Sequence, residues 1–147
     1  MDGKLFLGTA QFLQSKCTNE AAYRSAISRA YYACFIATRD IAFQSCEKST
    51  LLRAQIKNER KIQHDKLLVY LKEASEKTVK KLGQDLAGLY GSRKDADYNM
   101  SAKITVDNSQ DAIDEADAFL QALFKTPHKH IGKAVDDYIQ KTHPGSA

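Results

Sequence analysis

Apolar and small residues recur at three- and four-residue steps from Tyr23 through Ile27, Ala30, Tyr31, Cys34, Phe35, Thr38 and Ile41 to Ala42, with no glycine or proline among them. Strands alternate with a period of two, so a stripe in this register fits only an α-helix, here about 26 residues or seven turns long. A helix of that length is suited to be the central post of a bundle. Thr18 or Asn19 supplies the N-cap ahead of Glu20, because either side chain can accept from a backbone N–H of the first turn.

The rest of the chain repeats the helical period. A first helix is predicted over Lys4 to Lys16, with Leu5, Thr9, Phe12 and Leu13 inward. A third runs from His64 to Ala74 on Leu67, Leu68 and Leu71, and a fourth from Thr78 to Ser92 on Val79, Leu82, Leu86, Leu89 and Tyr90. A fifth is capped within Asp107 to Ser109, carries Ile113, Ala116, Phe119, Leu120, Leu123 and Phe124, and is ended by Pro127. The segment from Glu47 to Gln63 is weakly patterned and reads as a loop with a helical turn. No stretch alternates with hairpin turn pairs. The predicted fold is therefore all-α, an up-and-down bundle of four to five helices over residues 1–126. Residues 127–147 form a partly helical tail with the stripe Ile131, Val135, Tyr138 and Ile139.

With 147 residues the chain is about one domain long and can bury a core without staples. Its longest apolar runs are far short of the roughly 20 residues that cross a bilayer. No signal peptide is evident, since Leu5 to Leu7 is too short for an apolar core. Three cysteines, Cys17, Cys34 and Cys46, are odd in number and lack CxxC spacing, which points to a reducing cytoplasm and away from disulfides or a zinc knuckle. Cys34, inside the long stripe, reads as a small buried hydrophobe.

Charge is unevenly placed. Six cations between Lys48 and Lys66 face two anions there, so the segment carries the whole formal charge of +4. Asp107, Asp111, Asp114, Glu115 and Asp117 form a stretch with no cation. Such a layout suits a polyanion on one patch and solvent or a partner on the other. Arg53, Lys57, Arg60, Lys61 and Lys94 are the candidates for contact with the backbone of such a polyanion, and salt-sensitive binding would be their signature.

Several chemistries are missing. There is no GxxxxGK[ST] or GxGxxG phosphate loop, no HExxH and no ExxH pair, so neither a metal nor a cofactor is expected. Short connections make successive helices antiparallel, and that topology places the end of the second helix, the basic segment, His64 and the Arg93 end of the fourth helix together.

The segment GLYGSRKDADYNM, from Gly88 to Met100, with AAYRSAISRAYYACF, from Ala21 to Phe35, resembles the HEPN family of small α-helical proteins. Ser28, Arg29, Tyr31, Tyr32, Ala33 and Phe35 match an SRxYYAxF-like signature of its second helix. Arg93, Ala96, Asp97 and Tyr98 match the RxxADY form of its arginine motif. The resemblance spans about residues 5 to 124 and implies a bundle that dimerises with the arginine motifs facing across a two-fold axis. Many members are metal-independent ribonucleases, often toxins or defence proteins paired with a minimal nucleotidyltransferase. Others are non-catalytic adaptors or nucleotide-binding modules that dock such a partner.

RNA cleavage without metal needs a base for the 2′-hydroxyl, a cation for the developing charge and an acid for the leaving oxygen. On this reading Arg93 is the cation, with His64, Asp97 and Tyr98 in support. Tyr98 stands where the ribonuclease motif has histidine. A phenol titrates near about 10, so it is a poor base at neutral pH, whereas an imidazole near about 6.5 is a good one, which is the reason for including His64. Of the adjacent Tyr31 and Tyr32, only one can face the core, and Arg29 is expected to pair with a carboxylate.

Overall fold

The computed structural model describes residues 2–45 and 64–142. Every element in them is helical: α1 (Gly3–Lys16), α2 (Glu20–Ser45), α3 (His64–Lys72), α4 (Lys77–Tyr98), α5 (Val106–Lys125) and α6 (His128–Thr142). The protein is thus an all-α helical bundle, with no strand among the described residues. No helix among them is long and apolar enough to cross a membrane. The basic residues Arg53, Lys57, Arg60 and Lys61 lie outside the described residues.

Contacts sort the described residues into two compact units, one within Met1–Ala37 and Asp85–Gln121, the other within Thr38–Gln84 and Ala122–Ala147. In the first unit, α2 supplies the core. Ala26, Ile27, Ala30, Tyr31, Cys34 and Phe35 are buried, and Tyr31 packs 5.9 Å from Phe35 and 5.4 Å from Tyr90 between ring centroids. The N-cap of α2 is Asn19, whose Oδ1 accepts from Ala22 N–H at 2.9 Å. Arg24, early in α2, touches the end of α4, while Tyr31 further along meets Tyr90 further back, so the two helices run antiparallel here.

In α1 the inward face differs from the sequence expectation. Gly3, Leu7 and Ala10 are buried, whereas Leu5 and Phe12 are 66% and 60% exposed. The deciding contact is steric: a Cβ on Gly3 would lie 2.5 Å from the carbonyl oxygen of Ala33. The small-residue stripe lets α1 approach α2 so closely that larger side chains would hold it away.

The second unit is built from α3, α6 and the adjoining parts of α2, α4 and α5. Leu67, Leu68 and Leu71 of α3 are buried, as are Ile131, Val135 and Ile139 of α6. The tail expected to be partly helical is therefore, from His128 to Thr142, a helix with its own buried stripe. Tyr70 and Tyr138 pair at 5.2 Å. Gly83 of α4 sits against α3, where a Cβ would meet Lys72 N at 2.7 Å and Leu71 C at 2.9 Å.

Two helix ends also differ from expectation. The start of α5 is capped by Thr105, which accepts from Asn108 N–H at 3.2 Å while Asn108 Oδ1 accepts from Thr105 N–H at 2.9 Å. This reciprocal pair satisfies two otherwise orphaned donors and sets the first turn ahead of Asp107. The end of α4, expected at Ser92, comes six residues later at Tyr98, and its cause lies in the candidate site.

Candidate functional site

No basic residue occupies the last turn of α4. Arg24 of α2 serves instead. Its Nη1 donates to the carbonyl oxygens of Asp95, Ala96 and Asn99 at 3.2, 3.0 and 3.1 Å, and its Nη2 donates to Ala102 O and to Glu20 Oε1. A guanidinium on the carbonyls of a helix end satisfies orphan acceptors and complements the negative end of the helix dipole. Glu20 is held below the usual carboxylate range, chiefly by the hydrogen bond from Arg24. Sequence reasoning missed Arg24; the signal available was its four-residue spacing from Glu20 at the start of α2.

The added turn makes RxxADY helical throughout and puts Arg93 and Asp97 on one face. Arg93 is only 9% exposed, and its Nε lies 2.8 Å from Asp97 Oδ2. That N–H does not aim straight at the oxygen, so the contact is ionic more than a directed hydrogen bond. Ser28 of α2 donates to the same oxygen at 3.1 Å. Arg93 Nη2 donates to Tyr32 Oη at 2.9 Å and to Tyr98 Oη at 3.2 Å, and its carbon lies 5.2 Å from the centroid of each ring. Burial works against the charge on Arg93, but the two phenols and Asp97 outweigh it, so the guanidinium is held charged more firmly than usual. Among the described residues no acceptor bonds its Nη1.

The two motifs quoted separately from the sequence therefore meet. Ser28 and Tyr32 of the α2 signature, which were not assigned site roles, hold the carboxylate and the guanidinium of the α4 motif. Tyr31 is the partner that turns into the core, and burial raises its phenol well above the usual range. Tyr32 faces the α1 side chain Phe6 at 6.2 Å as well as Arg93. Arg29 lies over the Phe6 ring at 5.5 Å and makes none of the ion pairs among the described residues. Lys94 is exposed, with its ammonium 4.7 Å from the Tyr90 centroid. His64 opens α3 in the second unit, whereas the partners of Arg93 are Tyr32, Asp97 and Tyr98 of the first.

Tyr98 is 69% exposed. The cluster thus has a buried charged floor and an open aromatic edge. The guanidinium can donate from Nη1 to an anionic oxygen and the exposed ring can carry a planar group. In the same unit a cleft of about 360 Å³ is lined by Asp95, Asp111 and Glu115 together with Lys103, so its charge is mixed with acids in excess. Cys17 and Cys34 are free thiols, and burial raises the Cys34 thiol, in keeping with a packing role. Among the described residues no group of three or more His, Cys, Asp or Glu side chains is placed to hold a metal ion.

Comparison of the chain with protein-family models, with curated proteins and with solved structures found no match.

Proposed function

We propose that this chain is a HEPN-type protein of the toxin or defence kind that binds RNA and cleaves it without metal. It would act as a cytoplasmic homodimer controlled by a minimal nucleotidyltransferase. The observation that carries this reading is the state of Arg93: a nearly buried guanidinium, kept charged by Asp97 and two phenols, with Nη1 left for an outside oxygen. A cation fixed in advance stabilises developing phosphorane charge without reorganising during the reaction. Asp97 and Ser28 act as positioning residues, and Tyr98 is placed to orient a phosphate or protonate a leaving oxygen.

One feature favours a second reading. The polar partners of Arg93 are a carboxylate and two phenols, with no imidazole among them. A non-catalytic HEPN adaptor that docks the nucleotidyltransferase fits that set.

The test uses purified protein with total and transfer RNA in EDTA, beside Arg93→Ala, Arg93→Lys and His64→Ala, with end mapping. On the ribonuclease reading wild type cleaves, Arg93→Ala falls by at least 100-fold, on the scale of removing one transition-state donor, and Arg93→Lys stays impaired. The His64 variant shows whether its imidazole takes part. Intact RNA with a folded wild type, together with no growth inhibition on expression, moves the assignment to the adaptor.

A further inference from the structure

Arg29 is exposed, and among the described residues neither the carboxylate expected for it nor any other acceptor bonds its guanidinium. It lies instead over the ring of Phe6, 5.5 Å from the centroid. Phe6 faces Tyr32 at 6.2 Å, and Tyr32 carries Arg93, which also meets Tyr98. One chain of contacts in the first unit thus runs from Tyr98 through Arg93, Tyr32 and Phe6 to Arg29. The spacing on α2 sets it up. Ser28 and Tyr32, four apart, take the α4 motif, while Arg29, three before Tyr32, shares with it the α1 side chain Phe6. A guanidinium has five N–H donors, and those of Arg29 are left for a ligand.

Building on the RNA reading above, we infer that Phe6 and Arg29 form a second nucleotide subsite beside the one at Arg93 and Tyr98, and that the pair of subsites selects single-stranded RNA. The alternation of cation and ring carries the assignment. A single strand offers a phosphate and a free base face at each step, and grooves that hold such strands combine cations with aromatic platforms. Arg93 Nη1 serves one phosphate and Tyr98, 69% exposed, one base. Arg29, backed by the half-buried Phe6 ring, serves the neighbouring nucleotide, with its plane for a base or its edge for a phosphate. A duplex keeps its base faces within its own stack, so it could use the two guanidiniums but neither stacking surface. An isolated cation would bind both forms alike, because backbone charge is common to them.

Fluorescence anisotropy of the full chain with a short labelled RNA of mixed sequence tests this, beside the same RNA annealed to its complement. The RNA carries 2′-O-methyl groups, which remove the nucleophile, so that binding is read without cleavage. Wild type should hold the single strand about tenfold or more tighter than the duplex, and Arg29→Gln and Phe6→Leu should each weaken the single strand by about fivefold or more, the low end of what one stacked base contributes. Arg29→Lys, which keeps the charge and loses the plane, should stay weakened. Lys80→Ala removes an exposed charge in the second unit and should leave affinity unchanged. Arg29 bonds no other group among the described residues, so Arg29→Gln should melt as wild type does, which separates a lost subsite from a lost fold. Equal affinity for duplex and single strand overturns the inference, and so does full affinity in Arg29→Lys. Binding that falls with Arg93→Ala but ignores Arg29→Gln and Phe6→Leu overturns this inference alone. A folded wild type that binds neither RNA fails the RNA reading itself, and the second subsite with it.

Discussion

The two units use their polar residues in different ways. The first gathers charge: Arg24 ends α4, and Arg93, Asp97, Ser28, Tyr32 and Tyr98 bond one another at its margin. Close helix contacts occur in both: Gly3 against α2 in the first and, in the second, Gly83 against α3 and Gly132 against the end of α2, where a Cβ would meet Ser45 O at 2.6 Å. A nearly buried guanidinium stabilises little and can cost more than apolar packing would. Glycines at helix crossings serve packing alone. The contrast separates a candidate working region from a scaffold.

The sharpest break of this comparison is Gly83→Ala. The added methyl meets backbone on the α3 side, and we expect a loss of about 2–3 kcal/mol, read by chemical denaturation. Next comes Asp97→Ala, which strands the Arg93 charge at a partly buried site and costs about 2 kcal/mol. Arg93→Met should cost less, because it removes the charge with its burial penalty and keeps the stem. If Arg93→Met were the more damaging of the two, Arg93 would be chiefly structural. Smaller and opposite in sign, Gly88→Ala, in the same helix as Gly83 but with nothing within 4 Å, should gain about 0.5–1 kcal/mol.

The smallest effects are pH-dependent. Glu76 caps α4 in the second unit, and the N–H of Val79 above all holds its carboxyl below the usual range. A lowered folded value contributes stability above the unfolded carboxylate range, near about 4.3, that is lost as pH falls through the folded value. Glu115 in the first unit is raised by burial, then by Asp111 and Asp85, so it weakens the fold at neutral pH and that penalty is relieved on acidification. Thermal melts should show Glu76→Gln lowering the midpoint at pH 7 and Glu115→Gln raising it. Both differences should shrink near pH 3.

Much of the architecture was legible because it is periodic. The stripe from Ile27 to Ala42 is buried as expected, and so are Leu67, Leu68 and Leu71, and Val79, Leu82, Leu86 and Leu89. The spacing of Arg93 and Asp97 offered an ion pair on any helix that included both. Asn19 was legible as one of two candidate caps with Thr18, since such a side chain needs only a neighbouring N–H.

What the sequence determined by itself was the helical class, the core stripes and the pairing open to residues four apart, because backbone sterics and a period of 3.6 act over one or two turns. Tertiary structure alone decided the rest. Of two apolar stripes on α1, the one with Gly3 was buried, because only it allows the approach to Ala33. The polar end of α4 became helix because Arg24, 71 residues before Asp95 in the chain, satisfies its carbonyls. Ser28 and Tyr32 joined Arg93 and Asp97 because antiparallel packing brought one face of α2 to that extra turn. Each choice depended on shape and unsatisfied polar groups between segments far apart in sequence, which no local pattern records.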